Sequence, residues 1–368
     1  MRVTRISLSN FRNISDSSLS PSPEINVITG ENAQGKTNLL EAIWLFCGAK
    51  SFRGAKDSEL IAHENESARI EMDFYSHGYE QSAKITLSSG RETLIGGVPV
   101  SNQSELAENF CAVVFSPVHL SLIKDGPEKR RKFIDTAISQ LRPRYSTAVS
   151  QYNRAVMGRN AILKDTRFHS ELFDLLSAWE EKIANTGAYI INQRQKYIEA
   201  LNEIAPGAYD GLSNGKETFF SCYSSSDTTA EQLLSALKNA RQNDIQTGTT
   251  SVGPHRDDIE FLIDEKSART YGSQGQQRSA VIALKLAEAS IIKRVVNEPP
   301  VILLDDVLSE LDETRQGYIL NHIGDGQVFI TCCDLRQVDN KSTKKAGKVF
   351  LMDKGEPTEC TSTLDKIQ

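Results

Sequence analysis

The sequence predicts an α/β fold with a mixed sheet, an antiparallel β subdomain and an inserted helical lobe. Three observations lead to this prediction. Residues 25–29 form an apolar run that leads through a glycine-rich stretch into a helical pattern. A second apolar run, at residues 301–304, ends in two aspartates, as a buried strand of a parallel sheet does. From residue 120 to residue 204 strand signals fade, and apolar residues recur at the spacing of one helix face.

Length and composition describe a soluble globular protein. A chain of 368 residues is expected to form one large or two modest domains. Hydrophobic residues make up 39% of the chain and charged residues 24%, which excludes a disordered or membrane-embedded composition. The net charge of −6 argues weakly against nucleic-acid binding, so that function would require a local basic face.

The cysteines and the N-terminal residues predict a cytoplasmic protein. The six cysteines form no C-x-x-C pair, which disfavours a zinc site. Most of them lie in apolar or strand-like runs, as reduced thiols of cytosolic proteins do. The N-terminal residues lack the apolar segment of a secretory signal. No run of about 18 apolar residues is present, so we also expect no membrane span.

Residues 30–37 predict a phosphate-binding loop. They match the pattern G-x-x-x-x-G-K-[ST] and lie between a predicted strand and a predicted helix. The glycines let the backbone approach a phosphate without a clashing Cβ, and backbone N–H groups at the helix start then face the anion. We expect Lys36 to reach the β- and γ-phosphates and the Thr37 hydroxyl to bind Mg²⁺. The predicted nucleotide-binding residues are Gly30, Glu31, Asn32, Ala33, Gln34, Gly35, Lys36 and Thr37.

Antiparallel strands are predicted after the first helix. Short runs of alternating polarity occupy residues 68–75, 81–87 and 92–100, with glycine-containing turns between them. Residues 111–115 predict a further buried strand, which Pro117 ends.

Three segments are predicted from these patterns. Residues 1–115 form the N-terminal part of a nucleotide-binding lobe, and residues 116–249 form a mostly helical lobe. The C-terminal boundary of the helical lobe falls between residues 205 and 250. Residues 250–368 complete the sheet of the first lobe.

The front of the helical lobe is basic. Residues 124–164 contain ten Lys or Arg and three acidic residues. Such a face can bind the phosphate backbone of DNA. The candidate DNA contacts are Lys129, Arg130, Arg131, Arg142 and Arg144. Alternatively, these are solvated surface charges, and Arg130 or Arg131 holds an interface of the lobe.

The acidic end of the predicted strand at residues 301–304 supplies the second half of the site. Parallel sheets bind ligands at the carboxyl ends of their strands. Asp305 is therefore the candidate carboxylate on the Mg²⁺ side, and Asp306 is the candidate base that orients the attacking water. Lys36, Asp305 and Asp306 are the predicted catalytic residues, and Thr37 and Asp305 are the predicted metal ligands.

A second candidate phosphate contact lies at Ser273. It precedes a long predicted helix, so it is a natural N-cap, and a capped helix start beside glycines also binds phosphate. Residues 30–37 already hold the nucleotide. The second helix start therefore makes most sense if it serves a nucleotide held by another subunit.

Together these motifs resemble the ATP-binding-cassette (ABC) ATPases. Ser273, Gly275 and Gln276 match the signature of that superfamily, with Gln274 in place of its usual first glycine, and residues 309–312, ending in Asp312, match the D-loop. Asn32 and residues 10–13 resemble the SMC-type branch. The whole set resembles the RecF family of DNA repair proteins. The hallmarks are Gly126-Pro127 with Arg130, Arg131 and Asp135, then G-P-H-R-D-D at residues 253–258, S-Q-G-Q-Q-R at 273–278 and L-D-D-V-L-S-E-L-D at 304–312.

The resemblance implies an ABC-type P-loop ATPase head that uses ATP and Mg²⁺. It implies a cytoplasmic protein that dimerises head to tail on ATP, so that Ser273 of one copy contacts the γ-phosphate held by another. It also implies binding to duplex DNA near single-strand gaps. The expected partners are RecO and RecR, with which the family helps to load RecA in recombinational repair, replication-fork recovery and SOS induction.

The sequence departs from the ABC pattern at three points. No Gln is identifiable after the strand that leads into the helical lobe, where Ser116, Pro117 and His119 stand. No His occupies the switch position near residues 331–334. The catalytic carboxylate is Asp306 rather than the usual Glu. Because Asp is one methylene shorter, we expect slow hydrolysis suited to a switch. The resemblance to the RecF family implies a weak ATPase that DNA stimulates.

A metal site, a structural SMC-like head and a transporter subunit each fit part of the sequence less well. His255, Asp257 and Asp258 have the chemistry of metal ligands, but a loop that orders the signature helix or meets the nucleotide fits them better because no second ligand cluster accompanies them. A structural SMC-like head would need coiled-coil arms, and the segment between residues 37 and 273 has no sustained heptads. A transporter ATPase subunit is disfavoured by the missing switch His.

Overall fold

The computed structural model describes residues 1–166, 175–225, 228–323, 326–335 and 346–360. The strands are β1 (Arg2–Phe11), β2 (Ile14–Leu19), β3 (Ile25–Thr29), β4 (Ala68–Ser76), β5 (Tyr79–Leu87), β6 (Arg91–Ile95), β7 (Val98–Pro99), β8 (Ala112–Phe115), β9 (Phe219–Ser224), β10 (Asp258–Ile263), β11 (Lys266–Ser267), β12 (Val301–Asp305), β13 (Val328–Cys332), β14 (Ala346–Asp353) and β15 (Glu356–Glu359). The helices are α1 (Lys36–Leu45), α2 (Ser104–Asn109), α3 (Pro117–Leu120), α4 (Pro127–Leu141), α5 (Pro143–Thr166), α6 (Leu175–Ser213), α7 (Ala230–Thr247), α8 (Ala268–Tyr271), α9 (Gln274–Val296) and α10 (Glu313–His322).

The chain divides into two compact units. The sheet unit comprises residues 1–121, 207–217 and the described residues from Gln274 onward, and the helical unit comprises residues 122–206 and 218–273. The predicted lobes have different boundaries, since residues 250–273 group with the helical unit rather than with the C-terminal segment. The reason is strand pairing, because β10 forms an antiparallel pair with β9 of the same unit.

The sheet unit contains two six-stranded sheets. One is antiparallel, in the order β2-β1-β4-β5-β6-β7, and the other is mixed, in the order β15-β14-β3-β13-β12-β8. In the mixed sheet, β8, β12, β13, β3 and β14 run parallel, and β15 pairs antiparallel with β14. All five residues of β12 and all five of β13 are buried, which accounts for their continuous apolar runs.

The parallel register gathers three strand ends at one edge of the mixed sheet. Asp305 at the end of β12 pairs with Thr331, and Cys332 at the end of β13 pairs with Thr29. The chain segments after β3, β12 and β13 therefore leave the sheet side by side. This edge carries the residues predicted to bind the nucleotide.

The antiparallel strands match the sequence pattern with one difference. The alternating run at residues 92–100 forms two strands, β6 and β7, rather than one. Gly96 and Gly97 lie between them with φ angles of +57° and +81°. Two successive left-handed residues turn the chain back on itself, as in a tight hairpin.

The helical unit combines helices α4, α5, α7 and α8 and most of α6 with the three-stranded antiparallel sheet β11-β10-β9. Its interior contains charged as well as apolar side chains. Arg159 is fully buried and forms ion pairs with Glu180 and Asp244, which are also fully buried. These three charges join α5, α6 and α7.

Candidate nucleotide-binding site

The backbone of residues 30–37 requires glycine at both glycine positions of its motif, Gly30 and Gly35. Gly30 has a φ angle of +148°, and a Cβ there would lie 2.4 Å from the carbonyl oxygen of Met352. Gly35 has a φ angle of +110° and precedes the first residue of α1. A left-handed residue at this point points the chain into the helix while leaving the first N–H groups of α1 without helical partners. The loop therefore presents backbone donors at a helix start, as phosphate binding requires.

The loop is braced from two turns of the sheet unit. The Nδ2 of Asn13, between β1 and β2, donates to the carbonyl oxygen of Ala33 at 2.9 Å. The backbone N–H of Gly355, between β14 and β15, donates to the carbonyl oxygen of Gln34 at 2.9 Å, and that of Lys354 donates to Gln34 Oε1 at 2.6 Å. These bonds hold the loop in shape independently of any ligand.

The Lys36 side chain lies inside the loop. Its ammonium donates to the carbonyl oxygens of Gly30 at 2.5 Å and Glu31 at 2.8 Å, and it lies 3.5 Å from the Sγ of Cys333. Lys36 is only 7% exposed. A buried cation whose described partners are neutral is stabilised by an anion that enters the loop.

After the Lys36 ammonium, the second charged group of the site is the Asp305 carboxylate, which is hydrogen-bonded to Thr37. The Thr37 hydroxyl donates to Asp305 Oδ1 at 2.7 Å, and the Thr331 hydroxyl lies 3.2 Å from the same oxygen. Burial raises the pKa of Asp305, the two hydroxyl groups oppose that shift, and the neighbouring Asp306 adds to it. A hydroxyl and a buried carboxylate are hard oxygen ligands of the kind that Mg²⁺ prefers. The pair therefore fits Mg²⁺, with the remaining ligands left to phosphate and water.

Asp306 adopts an uncommon backbone conformation. Its φ angle is +49°, which is unfavourable for a residue with a Cβ and often marks a functional position. Its N–H donates to the Thr331 hydroxyl at 2.8 Å, and its carbonyl oxygen accepts from the Ser309 hydroxyl at 2.7 Å. Hydrogen bonds to Thr331 and Ser309 thus fix the backbone of Asp306, the predicted catalytic base.

The signature region begins α9. Ser273 directly precedes Gln274, the first residue of the helix, and both residues are exposed. The Gln276 Nε2 donates to Glu217 Oε1 at 2.7 Å. The carbonyl oxygen of Gly275 accepts from an Arg315 Nη2 at 3.2 Å. These contacts fix the start of α9 against other parts of the sheet unit, and Ser273, just before that helix, is an exposed residue.

The D-loop at residues 309–312 is held by α9 and by α10, the helix that contains Arg315. Arg278 of α9 donates from Nη1 to the carbonyl oxygen of Glu310 at 2.6 Å and lies 3.1 Å from its carboxylate. Asp312 caps the start of α10 by accepting from the backbone N–H of Arg315 at 3.0 Å, and it also pairs with the Arg315 guanidinium. Residues 275–278 of the signature and the D-loop therefore form one connected surface of the sheet unit.

Sequence reasoning missed a network beside the loop. Arg12 forms a two-pronged contact with the fully buried Glu41 of α1, at 2.9 and 3.2 Å, and Ser51 donates to the same carboxylate. Two residues after Ser51, Arg53 donates from an Nη to Asn38 Oδ1 at 3.1 Å. The only available signal was the resemblance of residues 10–13 to SMC-type ATPases. Residues 41, 51 and 53 belong to no motif identified in the sequence.

The residues predicted to contact DNA fall into two groups. Lys129 of α4, Arg142 between α4 and α5, and Arg144 at the start of α5 are exposed. Arg130 is buried, 3% exposed, and its Nε and one Nη lie 2.9 and 2.7 Å from the two carboxylate oxygens of Asp258. Arg131 is half-buried and donates to the carbonyl oxygen of Asp257 at 2.6 Å. The alternative in which these two arginines hold packed elements together describes their observed contacts.

Both ring nitrogens of His255 form hydrogen bonds to other groups of the protein. Its Nε2 lies 3.0 Å from the carbonyl oxygen of Thr250, which can only accept, so its Nδ1 accepts from the Tyr152 hydroxyl at 2.6 Å. Burial lowers the pKa of His255, and Arg256 adds to that effect. Among the described residues, no group of three or more His, Cys, Asp or Glu side chains is arranged to hold a metal ion.

Comparisons with known proteins agree with this geometry. The model of the family described as RecF/RecN/SMC N terminal domain matches residues 2–357. A protein from Lachnoclostridium phytofermentans, named DNA replication and repair protein RecF, is 41% identical over 344 residues, which cover 92% of this chain and 95% of that protein. This chain belongs to the RecF family. The membership confirms the predicted family and function, an ATPase of recombinational DNA repair.

Solved structures confirm the RecF fold. One, described as the recombination mediator protein RecF-ATP in the RecFOR pathway, is 34% identical, covers 98% of both chains and superposes with a TM-score of 0.90. An SMC head domain from Pyrococcus furiosus, 16% identical over 100% of this chain and 98% of its own, has a TM-score of 0.54 and is similar in fold alone. The predicted ABC-type head with a mixed sheet, an antiparallel β subdomain and an inserted helical lobe is therefore confirmed. Among the described residues, no helix has the length and apolar character needed to cross a membrane.

Proposed function

We propose that this chain is a recombination mediator whose assembly on DNA is switched by ATP. One observation carries the proposal. Lys36 and Asp305, a cation and a carboxylate, are both buried at the edge of the mixed sheet, and their described hydrogen-bond partners are neutral. Buried charges of this kind are stabilised by opposite charges from a ligand. A nucleoside triphosphate with Mg²⁺ supplies both.

The residues of the loop divide the work of binding. The backbone N–H groups of residues 30–37 and the Lys36 ammonium donate to the phosphates. Thr37 and Asp305 hold Mg²⁺, which, when bound, offsets charge that develops on the transferring phosphoryl group. Asp306 accepts a hydrogen bond from the attacking water and orients it. Its short side chain and fixed backbone favour slow hydrolysis, stimulated when DNA adjusts the site.

A second copy of the chain completes the site. Ser273 is exposed at the start of α9, and the contacts of Gly275 and Gln276 fix that helix start. We propose that the Ser273 hydroxyl donates to the γ-phosphate held by another copy and that Gln276 and Asp312 belong to the same contact surface. ATP then links the two copies head to tail, and hydrolysis separates them.

The exposed basic residues of the helical unit support DNA binding. Lys129, Arg142 and Arg144 are exposed, and Lys129 also forms an ion pair with Asp125 at 3.5 Å. Exposed cations of this kind can contact backbone phosphates of duplex DNA near a single-strand gap. A relative in fold is described as a mediator in the RecFOR pathway. We therefore propose RecO and RecR as partners and the loading of RecA as the outcome, in the cytoplasm.

Sedimentation velocity with and without ATP tests the central claim. Wild-type protein is expected to form dimers with Mg²⁺ and ATP, and more so with gapped duplex DNA. Ser273→Arg is expected to bind ATP normally but to remain monomeric, because the larger charged side chain occupies the place of the partner's phosphate.

The matched control is Ser89→Arg, which places the same side chain at an exposed turn after β5. It is expected to dimerise as the wild type does. Dimers that form equally well without ATP, or that persist in Ser273→Arg, would contradict the composite site.

A further inference from the structure

The Cys333 thiol contacts the phosphate loop from the neighbouring strand end. Cys333 directly follows β13, which ends at Cys332. Its Sγ lies 3.0 Å from the Oδ1 of Asn32 and 3.5 Å from the Lys36 ammonium. Asn32 Oδ1 can only accept, so the thiol donates to it, while the sulfur accepts from Lys36. One sulfur atom thus joins β13, the middle of the loop and the buried cation.

We propose that Cys333 is a positioning residue of the nucleotide site and that a group added to its sulfur closes the site to ATP. The proposal rests on the proposed binding of ATP by residues 30–37. Through its two contacts, Cys333 keeps Asn32 and Lys36 against the end of β13. It occupies the region in which other ABC-type ATPases place the switch His, so it gives this chain a different group at the same edge of the sheet.

The thiol hydrogen and the sulfur of Cys333 each have a partner in the phosphate loop. Lys36 is 7% exposed and donates to Gly30 and Glu31 as well as to the thiol. A group added to Sγ takes the place of the thiol hydrogen that Asn32 Oδ1 accepts, so Asn32 loses this bond and moves away from the sulfur. Displacing Asn32 disturbs the position from which the phosphates are bound.

The other five thiols are less accessible. Cys333 is exposed, Cys222 and Cys360 are half-buried, and Cys47, Cys111 and Cys332 are buried. Burial raises the pKa of Cys111 to about 12 and that of Cys332 to about 11. Because the thiolate is the reactive form, a limiting amount of a thiol reagent is expected to modify Cys333 first.

Methyl methanethiosulfonate provides a reversible test. The Cys333 thiolate attacks the sulfenyl sulfur of the reagent, methanesulfinate leaves, and a mixed disulfide with a methylthio group forms. Dithiothreitol then releases that group and restores the thiol. ATP affinity, measured by titration with a fluorescent ATP analogue, is expected to fall at least about ten-fold on modification and to recover on reduction. Prior saturation with ATP and Mg²⁺ is expected to slow modification of Cys333, measured by peptide mass spectrometry.

Two substitutions separate positioning from general disruption. Cys333→Ser keeps a donor and an acceptor, so KM for ATP is expected to stay within about two-fold while sensitivity to the reagent disappears. Cys333→Ala removes both contacts, and KM is expected to rise about two- to ten-fold with little change in kcat. Cys222→Ser is the matched control and is expected to keep both wild-type kinetics and full sensitivity.

The two proposals fail in different ways. If unmodified protein does not bind ATP, the proposed function is overturned and this inference with it. If unmodified protein binds ATP and protein fully modified at Cys333 binds it equally well, only this inference is overturned. A fall in ATP affinity that also occurs when Cys333→Ser is treated with the reagent would contradict the inference, because the effect would then come from another thiol.

Discussion

The phosphate loop and the loop at residues 250–258 use charged side chains in opposite ways. At the phosphate loop, Lys36 donates to two carbonyl oxygens and a thiol, and Asp305 accepts from two hydroxyl groups. In the helical unit, Arg130 pairs with Asp258, and Arg194 pairs with Asp135 while also donating to the carbonyl oxygen of Pro254. The buried Arg130 and Arg194 thus have carboxylate partners, whereas the described hydrogen-bond partners of the buried Lys36 and Asp305 are neutral. Arg256 and Asp257, which are not buried, also bond to neutral groups.

The difference teaches how to interpret a charged motif. Two buried charges that the protein pairs with each other hold the fold together, and removing one strands the other in a low-dielectric interior. Two buried charges that the protein leaves with neutral partners are held ready for a ligand. Substitutions in the helical unit should therefore lower stability, and substitutions at the phosphate loop should lower activity.

The largest effect is expected for Arg159→Ala in the helical unit. The change removes the cation paired with the fully buried Asp244 and leaves the fully buried Glu180 paired with Arg241 alone. The free energy of unfolding is therefore expected to fall by about 3–5 kcal/mol. Urea denaturation followed by far-ultraviolet circular dichroism measures it. Arg154→Ala, on the exposed side of the same helix, is the control and is expected to change stability by less than about 0.5 kcal/mol. Equal stability of Arg159→Ala and Arg154→Ala would contradict the claim that paired buried charges hold the helical unit together.

The next effect is expected for Asp305→Asn at the nucleotide site. Asn keeps an oxygen that accepts from Thr37 and Thr331 but loses the charge that holds Mg²⁺. ATP hydrolysis is expected to fall by about 100-fold, whereas the free energy of unfolding should change by less than about 1 kcal/mol. Asp73→Asn on the outer face of the antiparallel sheet serves as the control in both assays. A large loss of stability in Asp305→Asn would place it among the structural charges instead.

A smaller effect is expected for Arg142→Ala combined with Arg144→Ala. Both side chains are exposed in the helical unit, so stability and ATP binding should not change. Affinity for duplex DNA is expected to fall about ten-fold, and the dependence of log affinity on log salt should become shallower by about 2. Fluorescence anisotropy at several salt concentrations measures both. Replacing exposed Lys293 and Arg294 of the sheet unit is the control, and unchanged duplex affinity of the first variant would refute the proposed contact.

The smallest effect is expected from pH. Burial lowers the pKa of His255 below its ordinary value of 6.5, so near that value the unfolded chain binds more protons than the folded protein. The contribution of neutral His255 to the free energy of unfolding is therefore fully present above about pH 6.5. It is lost as the pH drops, by at most about 1.4 kcal/mol per pH unit. His255→Gln is expected to reduce this slope between pH 5.5 and 7.5, and replacement of exposed His63 should not. A slope that is unchanged in His255→Gln would place the titrating group elsewhere.

The chain order of residues was enough to predict much of the nucleotide site. Strand, glycine loop and helix lie next to one another in the sequence, and an apolar run that ends in two acids indicates the edge of a parallel sheet. The set of hallmarks in their order indicated the family. These signals are local or depend on order, so they need no knowledge of which distant residues meet.

Only the tertiary structure decided which charges serve a ligand and which hold the fold. The pairing of Arg130 with Asp258, 128 positions apart, and the contact of Cys333 with Lys36, 297 positions apart, have no local signature. An arginine in a basic run looks the same in sequence whether it faces solvent or a buried carboxylate. The physical reason is that burial and pairing are set by packing between distant segments, whereas sequence motifs report only the residue types that a site requires.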